Sequence, residues 1–303
     1  MAGMELQSSR ILITGASSGI GRELARELAR RGAVLAISAR RGPLLRSLAD
    51  ELEARGHKRP AVLETDLSKR GTAEELAAAA RSELGGVDVL VNNAGGGVGG
   101  GVASVGDRDE AREAFEVNFW APLALTRALL PEMRRRGRGA VVNVTSGARA
   151  MTWPGFGMYA STKAALGLTT ETLQLELIDS PVQVLEAVPG PVDTAVQGET
   201  RLIPGIERLI DRVPLGDAAV MAKRIARALE HGATRVVYPR TAALPLVLPG
   251  LVRRYARRQV ARTLREVNGQ DYEALMSLVV RTGSGGDEVA RQARDAWERQ
   301  HGR

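Results

Sequence analysis

The sequence predicts an α/β architecture, a parallel sheet covered by helices on both faces, and three observations predict it. Short strands that are apolar throughout alternate with segments of helical periodicity. A strand with no polar face needs cover on both sides, which is the doubly wound, Rossmann-type arrangement. A glycine-rich turn, Gly15-Ala16-Ser17-Ser18-Gly19-Ile20-Gly21, lies directly between the first strand and the first helix, where such sheets cradle phosphate groups. This domain is expected to cover residues 1–240, with a C-terminal helical extension over 241–303.

The elements follow in order. Arg10–Thr14 is a β-branched strand, and Ile20–Arg31 has helical periodicity. Ala33–Ser38 is a second buried strand, and Pro43–Arg55 a helix opened by proline, whose fixed φ suits a first turn. Ala61–Glu64, Thr72–Leu84 and Val87–Val91 repeat strand, helix, strand. One long helix is expected from about Asp107 to Arg136, then a strand Ala140–Thr145 and a helix Met158–Asp179. Val182–Val188, Asp217–Glu230 and Arg235–Tyr238 complete the domain as strand, helix and strand. From about Thr241 the character changes. Leu244–Val252 is apolar but holds two prolines and is too short to span a bilayer. Arg253-Arg254-Tyr255-Ala256-Arg257-Arg258 then opens a basic helix on which Val252, Ala256, Val260 and Leu264 share one side. That side is expected to cover the protein's own core or a subunit interface. A basic amphipathic helix can also lie on a membrane, so peripheral membrane contact through 244–267 is the alternative. Gly283–Arg303 reads as a loosely held helix or a tail.

Composition narrows the chemistry. Without cysteine, disulfides, thiolate catalysis and cysteine metal sites are excluded. His57, His231 and His301 stand apart from every motif, which argues against a histidine triad or a zinc site, so no metal is expected. The net charge of +7 would attract anionic partners such as nucleotides, acyl carriers or headgroups. Aromatic residues make up 3% of the chain, too few for the stacking platforms of nucleic-acid binding, and no such partner is expected. Met1–Ser9 lacks the apolar run of a secretory signal. A cytoplasmic location follows, with membrane-peripheral as the alternative.

The chemistry centres on Tyr159-Ala160-Ser161-Thr162-Lys163, with Ser146 thirteen residues upstream. From four tyrosines and four lysines, chance supplies about 0.05 pairs at this spacing. Positions i and i+4 share one helix face, so an ammonium would stand beside a phenol and lower its pKa from near ~10. A phenol tuned that way passes a proton to or from a substrate oxygen. The glycine-rich turn allows backbone N–H groups to approach a pyrophosphate resting on the helix terminus. Its expected contacts are Gly15, Ser17, Ser18, Gly19, Ile20 and Gly21. The second strand ends in Ser38-Ala39-Arg40-Arg41, with no carboxylate to bond a ribose 2′-hydroxyl. Arginine grips a 2′-phosphate through charge-assisted bonds. NADP(H) is therefore the expected cofactor, with Arg40 its chief contact.

Together these residues resemble the short-chain dehydrogenase/reductase (SDR) family, over roughly Arg10–Tyr238. Thr14-Gly15-Ala16-Ser17-Ser18-Gly19-Ile20-Gly21 is similar to that family's TGxxxGIG, and Asn92-Asn93-Ala94-Gly95 to its NNAG. The resemblance implies that Asp66 lies near the adenine and that Asn92 and Ala94 steady the sheet and line the cofactor. It implies a catalytic tetrad of Asn118, Ser146, Tyr159 and Lys163. Tyr159 would be general acid or base, and Lys163 would lower its pKa and bond the nicotinamide ribose. Ser146 would hold the substrate oxygen, and Asn118 a water in a proton relay. Pro189-Gly190-Pro191-Val192-Asp193-Thr194 resembles the segment that meets the nicotinamide, through Pro189, Gly190, Val192 and Thr194. A homo-oligomer is also implied. Two features depart from the family: the glycine-dense stretch after Gly95, expected to be a mobile wall, and a chain that runs past the family's usual end.

The expected function is NADPH-dependent reduction of a small-molecule ketone or aldehyde, reversible as alcohol oxidation. Trp153, Phe156, Met158 and a lid over Ala195–Arg212 are moderately apolar, which points to a lipophilic substrate. Reduction of a 3-ketoacyl thioester is the enzymatic alternative, since the arginines would welcome an acidic carrier or coenzyme A. A non-catalytic NADPH sensor, or a peripheral membrane protein, is the alternative from another class. Retention of both Tyr159 and Lys163 counts against the sensor.

Overall fold

The computed structural model describes residues 3–192, 216–266, 277 and 280–282. Seven parallel strands form one sheet: β1 (Arg10–Thr14), β2 (Val34–Ala39), β3 (Ala61–Glu64), β4 (Val89–Asn92), β6 (Gly139–Val144), β7 (Val182–Pro189) and β8 (Arg235–Tyr238). Their spatial order is β3-β2-β1-β4-β6-β7-β8. The chain winds outward from β1 to β3, then returns across the sheet to β4. The strand order thus reverses between β1 and β4, and a crevice opens beyond their carboxyl ends, where open sheets of this type hold ligands.

Side-chain alternation sorts the core into two layers. Ile11 and Ile13 face one side, with Leu24 and Leu28 of α1 (Gly19–Arg30), Leu45 and Leu48 of α2 (Gly42–Ala54), and Ile225 and Leu229 of α8 (Ala218–Glu230). Leu12 faces the other, with Leu76 of α3 (Thr72–Leu84) and Leu125 and Leu129 of α6 (Ala121–Arg135). Each such side chain contributes about 1.5–3 kcal/mol by leaving water. The strands are therefore held from both faces, as their uniform hydrophobicity requires.

The helix expected over 107–136 is broken. It comprises α5 (Asp109–Phe115), a π-helical turn at Glu116–Trp120 and then α6. Pro122 has no N–H to give the carbonyl of Asn118, four residues back, so the regular ladder fails at this point. The wider turn turns Asn118 inward, where it is completely buried. Single π turns of this kind recur at functional sites.

The glycine-dense stretch is likewise not a free wall. Gly97–Gly99 forms β5, which pairs antiparallel with β9 (Val280–Thr282) from the C-terminal extension. Val98 is buried with Val105, Ala111 and Ala114. The extension thus contains a strand as well as the helices α9 (Leu244–Val247) and α10 (Pro249–Glu266). Its expected inward stripe is partly described: Ala256 is buried and Val252 and Val260 half-buried, while the side chain of Leu264 lies outside the described residues. So do Gly283–Arg303 and the lid expected over Ala195–Arg212.

At the amino-terminal ends of the central strands β1 and β4, fully buried Asp88 accepts hydrogen bonds from Arg10 Nε (2.9 Å) and Nη2 (2.8 Å). Arg136 and Arg138 stand 3.4 and 3.7 Å away. Burial alone would raise this carboxyl, but the hydrogen bonds and charge of Arg10, with the charge of Arg138, hold it below the usual range. Replacing one partner of a buried pair strands the other. Asp88→Asn is expected to lower unfolding stability by about 3 kcal/mol at neutral pH, measured by urea denaturation. The native carboxyl titrates below its unfolded value, so its stabilisation is present above pH ~4 and disappears as pH falls through the native value. The gap between the two proteins should therefore close in acid.

Candidate active site

The crevice is built where the loops after β1 and β4 meet. Gly15 and Gly19 hold φ of 69° and 54°, the left-handed region that glycine occupies without strain. A Cβ on Gly15 would lie 2.7 Å from Ala94 Cα, and one on Gly21 would lie 2.4 Å from Asn93 Nδ2. Thr14 Oγ1 accepts hydrogen bonds from the backbone N–H of Asn93 and of Ala94, both at 3.0 Å. Asn93 Nδ2 donates to the carbonyls of Thr14 (2.9 Å) and Gly15 (3.2 Å). Asn93 therefore fixes the glycine turn, a role that no local pattern in the sequence marks. The first turn of α1 carries no acidic residue, and the Ser18 side chain makes no capping bond. The positive end of that helix is left to backbone N–H groups and suits an anion.

Two arginines guard this end, and they act differently. Arg41 Nη2 donates to Ser17 Oγ (3.0 Å) and Ser18 Oγ (2.8 Å), which sets its guanidinium against the glycine turn. Arg40, the expected chief contact, instead stands 3.9 Å from Asp66 Oδ1. Asp66 also accepts from Ser68 N (3.1 Å) and Oγ (2.7 Å). Burial would raise the Asp66 carboxyl, but Ser68 and the charges of Arg40 and Lys69 keep it low. No carboxylate follows β2 immediately, so the region between Arg40 and Arg41 is cationic. Close glycines, a bare helix end and this arginine pair together fit a dinucleotide phosphate.

Across the crevice, α7 (Gly157–Glu176) carries Tyr159, Thr162 and Lys163. Lys163 is buried, and its Nζ donates to the carbonyl of Val144 at the end of β6 (3.0 Å). Burial lowers its pKa to about 8. Ser146 follows that strand and caps the 3-10 turn Gly147–Ala150, its Oγ accepting from Ala148 N at 3.1 Å. Half-buried Tyr159 is hydrogen-bonded to Ser146. Here the expected pKa is corrected: burial raises the phenol, and the opposing effect comes from the Ser146 hydroxyl rather than from Lys163. An amine that is itself desolvated and weakened is a poor source of positive field.

Asn118 donates to Gly96 O (2.6 Å) and Thr162 Oγ1 (3.0 Å) and accepts from Gly96 N (3.1 Å). A Cβ on Gly95 would approach Asn118 Oδ1 to 3.0 Å and Lys163 Nζ to 3.4 Å, so both groups border one glycine. The side chain of Asn92 is turned into the protein, donating to Asn143 Oδ1 at 2.8 Å. Asn143 in turn donates to Thr170 Oγ1 of α7 at 2.9 Å. Asn92 thus ties β4 to β6 and α7 and steadies the site from behind. Pro189 ends β7, Gly190 N donates to Tyr238 O (2.8 Å), and Val192 bridges Gly216. Thr194 lies outside the described residues.

Of the aromatic and apolar residues expected to meet substrate, Trp153 lines a mostly apolar cavity of about 600 Å³ with Met151, Pro154 and Val260. Met158 instead packs on the cluster of Val98 and Val105. The buried amine supplies a test of the site's electrostatics. Its native pKa of about 8 lies below the 10.5 of a free lysine, so between these values only the unfolded chain holds the proton. Wild-type stability should rise with pH through that window relative to Lys163→Met, by up to about 3 kcal/mol. Paired urea titrations at pH 7.5 and above check it.

Comparison with known proteins agrees with this geometry. Residues 9–202 match the model of the short chain dehydrogenase family. The chain is 40% identical over 193 residues to a short chain dehydrogenase of Pseudocercospora fijiensis, covering 63% of this chain and 62% of that protein. It therefore spans less than two thirds of that relative. It is 35% identical over 190 residues to an NADP-dependent 3-hydroxy acid dehydrogenase of Schizosaccharomyces pombe, covering 62% and 73%. Its fold matches that of a Burkholderia phymatum short chain dehydrogenase/reductase crystallised with NAD, with a TM-score of 0.72 at 27% identity over 82% and 97% of the two chains. This chain belongs to the short chain dehydrogenase family.

Proposed function

We propose that the protein is an NADP(H)-dependent oxidoreductase that interconverts a carbonyl compound and its alcohol, with Tyr159 as general acid and base. The observation that carries this reading is the convergence of Tyr159, Ser146 and Lys163 at the carboxyl end of β6, across the crevice from the glycine turn. Bound in that crevice, the dinucleotide supplies or accepts the hydride. Gly15, Ser17, Ser18, Gly19, Ile20 and Gly21 would hold its pyrophosphate, and Ala94, Pro189, Gly190, Val192 and Thr194 would border the rest.

The protein's own groups then manage a proton. A phenol raised by burial keeps its proton at neutral pH, so Tyr159 is set to donate to a carbonyl oxygen as negative charge develops there. The Ser146 hydroxyl, held by Ala148 N, can bond the same oxygen and fix the carbonyl's orientation. The Ser146 hydroxyl, the one group that opposes the rise in the Tyr159 pKa, stabilises the phenolate left behind. Asn118 positions Gly96 and Thr162 around these groups and, as a positioning residue, keeps the relay side of Lys163 polar. In alcohol oxidation the proton travels the other way. The apolar character of Trp153, Phe156 and Met158, between Ser146 and Tyr159, supports a lipophilic substrate.

Preference for NADP(H) is read from Arg40 and Arg41, which follow β2 directly where the chain itself supplies no carboxylate. Arg40→Asp should reduce the ratio of NADPH to NADH affinity by roughly 10- to 100-fold, and Arg41→Ala should move it in the same direction. Fluorescence titration with both cofactors checks this; an unchanged ratio removes the 2′-phosphate contact. Tyr159→Phe should lower the rate of carbonyl reduction by about 10²- to 10⁴-fold while leaving NADPH affinity intact. The rate is followed at the NADPH absorbance band across a panel of lipophilic ketones and aldehydes. A variant as active as wild type rules out the mechanism.

A further inference from the structure

The positive charge of this protein is not spread over its surface. Between His231 and Arg265 stand eight arginines and no aspartate or glutamate. That segment alone carries +8 against +7 for the whole chain, leaving the remainder at −1. Arg235 is consumed by Glu186 within the fold (2.7 Å). Arg253, Arg254, Arg257 and Arg258 are exposed and have no ion pair among the described residues. A compositional taste for arginine does not explain this, because elsewhere the arginines are balanced by acids.

The same segment exposes apolar surface. Leu244, Val247, Leu248, Leu251 and Tyr255 are each between 45% and 73% exposed, five large side chains within twelve residues. On α10 the two faces separate. Val252, Ala256 and Val260 turn toward the protein, whereas Leu251 and Tyr255 share the outer side with Arg254 and Arg258. The stripe that the sequence marks as the amphipathic face is thus the inner one, and a second apolar set looks outward. Among the described residues no helix is long and apolar enough to cross a membrane.

We propose that α9 and the outer face of α10 form a docking surface for an anionic lipid bilayer, with the apolar side chains entering the headgroup boundary and the arginines meeting phosphates. Charge decides between occupants. A second copy seated on this face by a twofold axis would set arginine against arginine with no carboxylate among the patch's described side chains to pair them. A nucleic acid offers phosphates but no place for five aliphatic and aromatic side chains. An anionic bilayer supplies both partners at the depth each needs.

The full-length protein is floated with vesicles of phosphatidylcholine alone and with phosphatidylglycerol added. Recovery is expected only with the anionic vesicles and should fall as salt is raised. Arg254→Gln with Arg258→Gln should lower the partition coefficient roughly 25-fold, about fivefold for each arginine. Leu251→Ser with Tyr255→Ser should lower it by about tenfold or more. Circular dichroism and melting of each variant establish that it is folded; where one is not, the two lipid compositions on the wild type decide. Equal recovery with both vesicles, no recovery with either, or partitioning indifferent to both pairs overturns the proposal. So does a dimer that the Leu251→Ser, Tyr255→Ser pair dissociates while lipid has no effect.

Discussion

The arrangement of the site depends on one hydrogen bond, from the buried ammonium of Lys163 to the carbonyl of Val144 (3.0 Å). It fastens α7 to the end of β6, the strand that delivers Ser146 two residues later. The side chain reaches inward because the helix face that holds it also holds Thr162 and Leu166, all buried. Desolvation is the consequence. An ammonium in so dry a place gives up its proton near pH 8, and a phenol beside it resists losing one. At neutral pH both groups keep their protons, which suits donation to a carbonyl oxygen better than withdrawal from an alcohol.

Much of this was legible in the sequence because it is local. Tyr159 and Lys163 share a helix face by spacing alone, and the glycine turn announces itself between a strand and a helix. The strands were readable because a buried strand carries no polar face to confuse the period. What stayed illegible depends on partners distant in the chain. Asn93 holds the glycine turn from 79 residues away. Arg41 reaches Ser17 and Ser18 only after β2 has paired with β1. The π turn at Glu116–Trp120 would be a regular helix by propensity; Pro122 was the available signal, and the bonds of Asn118 to Gly96 supply the reason. The phenol's shift was misjudged because spacing reports the neighbour and says nothing of burial.

The glycine-dense wall teaches a related lesson. Glycine's freedom suggests mobility when the segment is read alone. In the fold, Gly97–Gly99 lies as a strand against Val280–Thr282, with Gly95 so close to Asn118 and Lys163 that a Cβ there would crowd both. The same residue type serves flexibility in an isolated chain and close approach in a packed one.

These contacts change the meaning of the boundary near residue 240. Composition shifts there, from a balanced α/β chain to an arginine-rich stretch, 241–265, that holds no acid. The structure, however, ties the chain beyond it to the domain twice. Arg257, Val260 and Ala261 of α10 line a cavity with Met151, Trp153 and the Ala160 and Ala164 side of α7, and β9 pairs with the strand that adjoins Gly96, which Asn118 clamps. Two separate contacts, α10 beside α7 and β9 on β5, thus join the extension to the domain that holds the candidate site, so the compositional boundary near residue 240 is not a boundary in packing.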